Sequence, residues 1–289
     1  MNWRDLLSSG VVLTDGAWGT ELQKRGLDLG ECPDAWNLSH PEAVADVARR
    51  YREAGSRVVL TNTFRANLIS LAAYGLAERT AEINQAGVEL SKKAAGGALV
   101  FASVGPSGKL LAAAEVTASE LLAAFRAQAE ALAVAGADAL LLETFSELEE
   151  ALIALKAART TGLPVIVSFA FDTGKNKDRT MTGVTPEQAA KAMTEAGADA
   201  VGANCGVGIE QVVELCRRMR ASTHLPLWMK PNAGLPEMVH GAVEYRVTPQ
   251  HFASSVPLLR DAGASFIGGC CGTNPDFIRA AAVALSRCA

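Results

Sequence analysis

The segment Glu195-Ala-Gly-Ala-Asp-Ala-Val-Gly202 is the strongest indication of the fold, because versions of it occur at four places along the chain. The other three begin at Glu53, Val134 and Asp261. Each version reads as the end of a helix, a glycine in the left-handed position that follows a helix, and then a buried strand. The repeat therefore predicts an alternation of helices and parallel strands.

Eight short apolar runs appear when the chain is followed outward from these repeats. Continuous apolar runs, without alternation of polar residues, are typical of parallel strands that are buried on both faces. The predicted strands are Val11–Thr14, Val58–Thr61, Leu99–Val104, Ala139–Leu142, Val165–Phe169, Ala200–Ala203, Leu227–Lys230 and Phe266–Gly269.

Helix-start signals separate the strands. Thr117 and Thr185 each precede a Glu or Gln by three residues, the spacing of a capping box. Thr248-Pro249 and Asn274-Pro275 are further cap-plus-proline starts. Eight even strand–helix units with right-handed crossovers predict an α/β fold, a single (β/α)8 TIM barrel over residues 1–289. An open doubly wound sheet is the alternative, and it is weaker because no break along the chain suggests a second domain.

The composition excludes several classes of protein. The chain has 289 residues, a net charge of -4 and no basic stripe, so we expect no nucleic-acid partner. No apolar run reaches the ~18 residues that span a bilayer, and the first seven residues carry charges where a signal peptide needs an apolar stretch. We therefore expect a cytoplasmic protein without a membrane partner. The six cysteines are then reduced thiols, core residues or metal ligands rather than a disulfide framework.

Polar, glycine-rich and cysteine-containing segments follow the predicted strands. In a barrel of this kind, the C-terminal ends of the strands carry the active site. This concentration at one rim predicts an enzyme. The segments are Asp15–Thr20, Thr61–Phe64, Gly105-Pro106, Glu143–Phe145, Asn204–Gly206, Pro231–Gly234 and Gly268–Thr273.

Three cysteines at this rim form a candidate metal site. Cys205 follows strand 6, and Cys270 and Cys271 follow strand 8. Adjacent strand residues point to opposite faces, so the two neighbours can bind one ion only if the flanking glycines let the chain leave strand geometry. Three thiolates and an open position match a catalytic zinc site, in which zinc would hold an incoming thiol as the thiolate nucleophile. The spacing alone also fits buried structural thiols or a vicinal redox pair.

The remaining cysteines and the histidines fit other roles. Cys216 lies in a helical apolar pattern and is expected in the core, Cys288 is terminal and expected to be inert, and Cys32 lies in the loop after strand 1 with at most a minor role. The four histidines lie outside the strand-end clusters, so we expect structural roles and no Ser–His–acid triad. They are His40, His224, His240 and His251.

Two carboxylates face the same rim. Asp15 and Glu143 would suit a substrate with an α-amino group, as charge-assisted acceptors. Asp15 also reads as a turn residue before Gly16, and Glu143 also fits a salt bridge across the rim. The N–H groups of the turn at Gly16 and Ala17 would hold a carboxylate or, equally, a phosphate.

Together these motifs resemble the homocysteine S-methyltransferase family over nearly the whole chain. The motifs on which this resemblance rests are Asp15-Gly-x-x-Gly-Thr20, Thr61-x-Thr-Phe64, Glu143-Thr144, Gly202-x-Asn-Cys205, Pro231-Asn-Ala-Gly234 and Gly268-Gly-Cys-Cys-Gly-Thr273. The resemblance implies a barrel enzyme that methylates the thiol of homocysteine to give methionine. The resemblance also implies a catalytic Zn2+ bound by Cys205, Cys270 and Cys271. It implies that Asp15 and Glu143, beside Thr144, bind the amino group of homocysteine, and that backbone N–H groups near Gly16, Ala17 and Trp18 bind its carboxylate. Asn232 would reach the zinc when substrate is absent.

The family divides by methyl donor. Three segments are most similar in sequence to the homocysteine domain of cobalamin-dependent methionine synthase, which is a far longer protein. They are Cys32–Asn37, Val104–Lys109 and Lys230–Pro236. The resemblance therefore implies methylcobalamin on a separate corrinoid protein, or S-methylmethionine, as donor; a fragment of a longer chain is a further possibility. Betaine is disfavoured, because betaine members carry a tyrosine where this chain has Thr144, although rings at the rim leave it open.

Two rivals belong to other classes. A non-catalytic subunit would bind zinc and homocysteine and present them to a corrinoid partner. A phosphate-binding barrel lyase or isomerase would use the glycine-rich turn after strand 8, where two adjacent cysteines serve no purpose. The long loops Asp172–Gly183 and Gly234–Arg246 are candidate lids or partner surfaces, and the first also reads as a plain solvated loop.

Overall fold

A computed structural model describes residues 3–235, 237–239 and 242–287, and these contain eight parallel strands arranged as a nearly closed barrel. The order around the sheet is β1-β10-β7-β6-β5-β4-β3-β2, and a separate antiparallel hairpin, β8 with β9, follows β7. The strands are β1 Val12–Leu13, β2 Val58–Leu60, β3 Leu99–Val104, β4 Ala139–Phe145, β5 Val165–Phe169, β6 Ala200–Gly208, β7 Leu227–Asn232, β8 Glu237–Val239, β9 Ala242–Glu244 and β10 Phe266–Ile267.

The first and last strands in that order, β1 and β2, meet through individual hydrogen bonds. The Arg57 N–H donates to the Leu13 carbonyl at 2.8 Å, and the Leu60 N–H donates to the Asp15 carboxylate at 2.7 Å. A side chain thus takes the place of a backbone acceptor at the seam. The predicted TIM barrel is confirmed, and the open-sheet alternative is wrong.

The helices surround the sheet, and none in the described parts of the chain is long and apolar enough to cross a membrane. The predicted starts are confirmed: Thr117 and Thr185 form capping boxes, and Thr248 and Asn274 accept N-terminal N–H bonds. The helices are α1 Trp3–Leu7, α2 Gly19–Gln23, α3 Trp36–Ser39, α4 Pro41–Glu53, α5 Leu68–Ala72, α6 Thr80–Ala94, α7 Ala118–Val134, α8 Leu148–Ala158, α9 Pro186–Glu195, α10 Ile209–Arg220, α11 Pro249–Asp261 and α12 Pro275–Ser286.

The four glycines of the repeated segment adopt the left-handed conformation that the sequence predicts. Each follows a helix in the left-handed region, with φ between 80° and 110°. A residue with a Cβ would be strained there, because L side chains clash with the backbone in this region. The turn therefore repeats at the base of β2, β4, β6 and β10, and it sets the even spacing of the units. The glycines are Gly55, Gly136, Gly197 and Gly263.

Two apolar layers hold the barrel together. The larger layer packs between the strands and the helices, and the smaller one fills the barrel interior above α1. In the interior the Trp228 ring lies 5.2 Å from the Phe266 ring and 6.0 Å from the Phe101 ring, centroid to centroid. Because side chains alternate along a strand, Trp228 and Lys230 of β7 both point inward, while Leu227 and Met229 pack on the helices. The aromatic cluster is thus a floor beneath the polar rim.

Candidate active site

The three predicted cysteines come together at the rim. Their sulfurs all lie within 4.8 Å of one another, and the Sγ atoms of Cys205 and Cys271 are 3.7 Å apart. Cys205 adopts a left-handed backbone, with φ of 61°, at an irregularity in the pairing of β6. Cys270 and Cys271 follow the end of β10, and Gly272, with φ of 80°, turns the chain there. Departure from strand geometry at both places lets adjacent cysteines face one point.

This sulfur cluster fits a tetrahedral zinc ion. A Zn–S bond of about 2.3 Å implies neighbouring sulfurs about 3.8 Å apart, close to the 3.7 Å between Cys205 and Cys271. Asn232, at the end of β7, is 4% exposed, and its Oδ1 has no hydrogen-bond partner. Its side chain is within hydrogen-bonding reach of Cys205. An unpaired buried oxygen beside three thiols is a polar group that a cation would satisfy.

The three thiols influence one another strongly. Hydrogen bonds from Cys270 and Cys271 lower the pKa of Cys205, and the same contacts with Cys205 raise the pKa of Cys270 and of Cys271. The three thiols therefore share protons as one group, in which neighbouring S–H groups stabilise a thiolate. A divalent cation would replace these shared protons and favour the thiolate at all three positions.

Glu143 ends the regular part of β4 and faces the cavity. It is 8% exposed, and its Oε1 accepts a hydrogen bond from the Ser103 hydroxyl at 2.5 Å. Burial raises the pKa of Glu143, and the nearby charge of Lys230 opposes that shift. The site thus holds a desolvated carboxylate. Neither Ser103 nor Lys230 was identified as a site residue from the sequence.

Asp15 occupies a different position from the one that its place after β1 suggests. It is fully buried, and protein donors occupy both of its carboxylate oxygens. Oδ2 accepts from the Leu60 N–H at 2.7 Å and from Trp18 Nε1 at 2.8 Å, and Oδ1 lies 2.5 Å from Lys230 Nζ. Asp15 is absent from the residues that line the cavity, so it supports the wall from behind.

Lys230 stands between the two carboxylates. It is 2% exposed, and it lines the cavity together with Glu143. Burial lowers the pKa of Lys230, but the charges of Asp15 and Glu143 outweigh this effect and the pKa is raised overall. The side chain is therefore an ammonium. Lys230 begins the segment Lys230–Pro236 that carries part of the family resemblance, but the sequence alone does not show that its side chain points into the site.

Asn204 locks the backbone around the site. It is fully buried; its Oδ1 accepts from the Thr144 N–H at 2.9 Å and from the Ser168 hydroxyl at 2.6 Å, and its Nδ2 donates to Thr144 Oγ1 at 2.7 Å. Thr144 has φ of 65°, which is a strained conformation for a β-branched residue. The amide thus holds the peptide that follows Glu143, and it also reaches Cys270 Sγ at 3.9 Å.

The predicted turn at Gly16, Ala17 and Trp18 lines the same cavity. The Ala17 N–H donates to Thr273 Oγ1 at 3.2 Å, and the Ala17 carbonyl accepts from the Tyr51 hydroxyl at 2.7 Å. The turn after β1 is therefore tied to the segment after β10. These two hydrogen bonds fix the main chain of the turn in the cavity wall.

One cavity of about 880 Å³ is lined by Glu143, Lys230, the three cysteines and the turn at Gly16 to Trp18. This volume lies at the upper end of the range of roughly 300–1,000 Å³ that is typical of small-molecule sites, so it exceeds what one small amino acid needs. Three aromatic residues, Trp18, Phe64 and Tyr245, contribute to the lining. Tyr245 comes from the long loop after β7, and the loop Asp172–Gly183 contributes no lining residue.

The other candidate residues lie elsewhere. Cys216 is fully buried in the core as predicted, and burial raises the pKa of its thiol to about 12. Cys32 is buried next to Asp34, which itself lines the cavity. The described histidines, His40, His224 and His251, are absent from the cavity lining, and His240 and Cys288 fall outside the described residues.

Comparisons with known proteins agree with this geometry. Residues 12–285 match the sequence profile of the homocysteine S-methyltransferase family. Methionine synthases from Mycobacterium leprae and Mycobacterium tuberculosis are each 31% identical over 98% of this chain, which spans a quarter of their length. The homocysteine methyltransferase MmuM from Escherichia coli, in its metallated form, is 28% identical, with a TM-score of 0.79 over 96% of this chain and 97% of that one. The chain therefore belongs to the homocysteine S-methyltransferase family.

Proposed function

We propose that this protein transfers a methyl group to the thiol of L-homocysteine, and that Cys205, Cys270 and Cys271 hold Zn2+ for this reaction. The sulfur cluster carries the proposal, because its 3.7 Å spacing suits tetrahedral zinc and it shares a cavity with Glu143 and Lys230. When bound, zinc supplies the Lewis acidity that keeps a contacting thiol deprotonated at neutral pH.

The protein's own residues would position the substrate. Glu143 would accept the α-ammonium, since Ser103 occupies only its Oε1 and the buried carboxylate faces the cavity. Asp15 would act from behind the wall, by fixing Trp18 and Lys230. Asn204 would hold the Glu143–Thr144 peptide in place. The Asn232 oxygen would turn towards the cation when no thiol is present, and it would yield this place to the substrate sulfur.

Two donors fit different features of the site. S-Methylmethionine is a sulfonium cation, and the rings of Trp18, Phe64 and Tyr245 line the space where a cationic donor would enter. A methylated corrinoid protein would instead dock on the rim, where exposed apolar side chains occur on the loops after β1, β3, β5 and β7. These are Leu29, Leu110, Met181, Leu235 and Met238. Betaine is the weaker alternative, because Thr144 stands where betaine members carry a tyrosine.

One preparation tests the proposal. Zinc content and methionine formation would be measured with homocysteine plus S-methylmethionine, betaine or a methylated corrinoid protein in turn. We expect one zinc per chain and turnover with one donor, both lost in Cys270→Ala. Zinc and homocysteine binding without turnover by any donor would favour a non-catalytic subunit. Absence of zinc from freshly purified, reduced protein would refute the metal site.

A further inference from the structure

Lys230 is the one cation among the buried charged residues of the described chain. It points inward from β7, two residues after Trp228, and its ammonium lies 5.8 Å from the centre of the Trp228 ring. Its stem passes close to Gly268, where an added Cβ would lie 3.3 Å from Lys230 Cε. A residue with a side chain at this position would therefore crowd the Lys230 stem. Burial of a lysine is unfavourable without a partner, so its placement in a cavity wall needs an explanation.

Asp15 accounts for the charge of Lys230 but not for its donors. An ammonium group has three N–H donors, and Asp15 Oδ1 accepts one of them at 2.5 Å. Asp15 stays behind the wall, whereas Lys230 lines the cavity. Since Leu60 and Trp18 already bind the other Asp15 oxygen, Asp15 acts as an anchor that aims the ammonium at the cavity.

Glu143 and Lys230 offer the cavity one acceptor and one donor of opposite charge. An α-amino acid carries the complementary pair, an ammonium and a carboxylate on the same carbon. We infer, on the basis of the homocysteine S-methyltransferase function proposed above, that Lys230 binds the substrate α-carboxylate while Glu143 binds the α-ammonium.

This assignment differs from the expectation that N–H groups of the turn at Gly16 to Trp18 alone hold the carboxylate. The Ala17 N–H is already bonded to Thr273 Oγ1, which leaves fewer main-chain donors on that side. An ammonium also gives a charge-assisted bond, which is about twice as strong as a neutral one. Lys230 thus makes the site selective for thiols that carry a carboxylate.

Equilibrium binding to the zinc-loaded protein tests the role of Lys230 without any methyl donor. Calorimetry would compare L-homocysteine with 3-aminopropane-1-thiol, which lacks the carboxylate, and with 4-sulfanylbutanoate, which lacks the amino group. In Lys230→Met we expect homocysteine to bind about tenfold to a hundredfold more weakly, and 3-aminopropane-1-thiol to bind as before. The preference for homocysteine over the aminothiol then disappears. Glu143→Gln should instead erase the preference over 4-sulfanylbutanoate.

Two further variants separate binding from folding. Lys230→Met leaves the Asp15 charge buried without a partner, so the double variant D15N/K230M, which removes both charges, repeats the test in a neutral wall. Lys92→Met removes the lysine of the Lys92–Asp138 pair, which lies outside the cavity, and should leave all three affinities unchanged.

The results distinguish the two levels of the argument. A wild-type protein that binds zinc but not homocysteine would refute the proposed function. If wild type prefers homocysteine over the aminothiol and both lysine variants keep that preference, the function stands and the role of Lys230 is wrong. Equal weakening of all three ligands would assign Lys230 a purely structural role, and would also overturn the inference.

Discussion

Replacement of Asn204 by alanine should destabilise the protein and disturb the site together. The change removes a fully buried amide and leaves the Thr144 N–H and the Ser168 hydroxyl without their partner. A buried polar group that loses its partner costs about 1–3 kcal/mol. Because the Ser168 hydroxyl rotates freely, we expect the free energy of unfolding to fall by about 2–4 kcal/mol.

The same variant should also bind homocysteine more weakly. Thr144 would leave its left-handed conformation, whose strain is about 1–3 kcal/mol, and the neighbouring Glu143 carboxylate would move with it. A hydrogen bond to a charged group contributes about 1.5–3 kcal/mol, so loss of the bond between Glu143 and the substrate should lower the affinity by at least about tenfold. Urea unfolding and calorimetric titration with homocysteine, at one pH and with equal zinc loading, measure the two effects.

Asn84→Ala provides the matched control. Asn84 is also fully buried, and its amide donates to the Ala66 and Thr80 carbonyls at 2.7 Å each. Neither of these partners lines the cavity, whereas Thr144, the partner of Asn204, does. The loss of stability in Asn84→Ala should be similar, with homocysteine affinity unchanged. The role of Asn204 would be refuted if Asn204→Ala lost less than about 1 kcal/mol, the low end for an unpaired buried group, or if both variants lost affinity equally.

Three further predictions concern protonation, the metal and the backbone. Burial raises the pKa of Asp34 from 3.8 to about 7, so the folded state binds the proton more tightly than the unfolded chain does. The contribution of Asp34 to the free energy of unfolding therefore falls as the pH rises from about 4 to 7, by up to the order of 4 kcal/mol. Asp34→Asn should remove this slope in urea unfolding across that pH range, and an unchanged slope would contradict the assignment. Cys205→Ser should reduce zinc per chain from one to well below half after dialysis against a weak chelator, because a hydroxyl is a poor ligand for zinc; full retention of zinc would show that the other two cysteines suffice. Gly272→Ala should lower both thermal stability and zinc affinity, because φ is 80° and an added Cβ would lie 2.2 Å from Tyr245 Cγ; unchanged values would show that the Tyr245 loop moves aside freely.

Local sequence patterns were enough to predict the barrel and its rim. Four copies of one helix–glycine–strand motif showed that strand–helix units repeat along the chain, and eight continuous apolar runs identified the strands. Such patterns could be recognised because they depend only on local backbone preferences and burial. Thr117 and Thr185 could be predicted as helix N-caps for the same reason. Cysteines after two different strands could be assigned to one site, since parallel strands all end at the same edge of a barrel.

Which polar groups face the cavity depends instead on contacts between distant parts of the chain. Asp15 and Lys230 are 215 residues apart in the chain, and no local pattern reveals that the lysine faces the cavity while the aspartate lies behind it. The left-handed backbone at Thr144 and Cys205 could not be predicted either, because residue propensities disfavour this conformation at both positions. Thr144 is held in it by the buried amide of Asn204, which lies 60 residues away in the chain. These features depend on contacts between distant strands, and such contacts exist only once the barrel has closed.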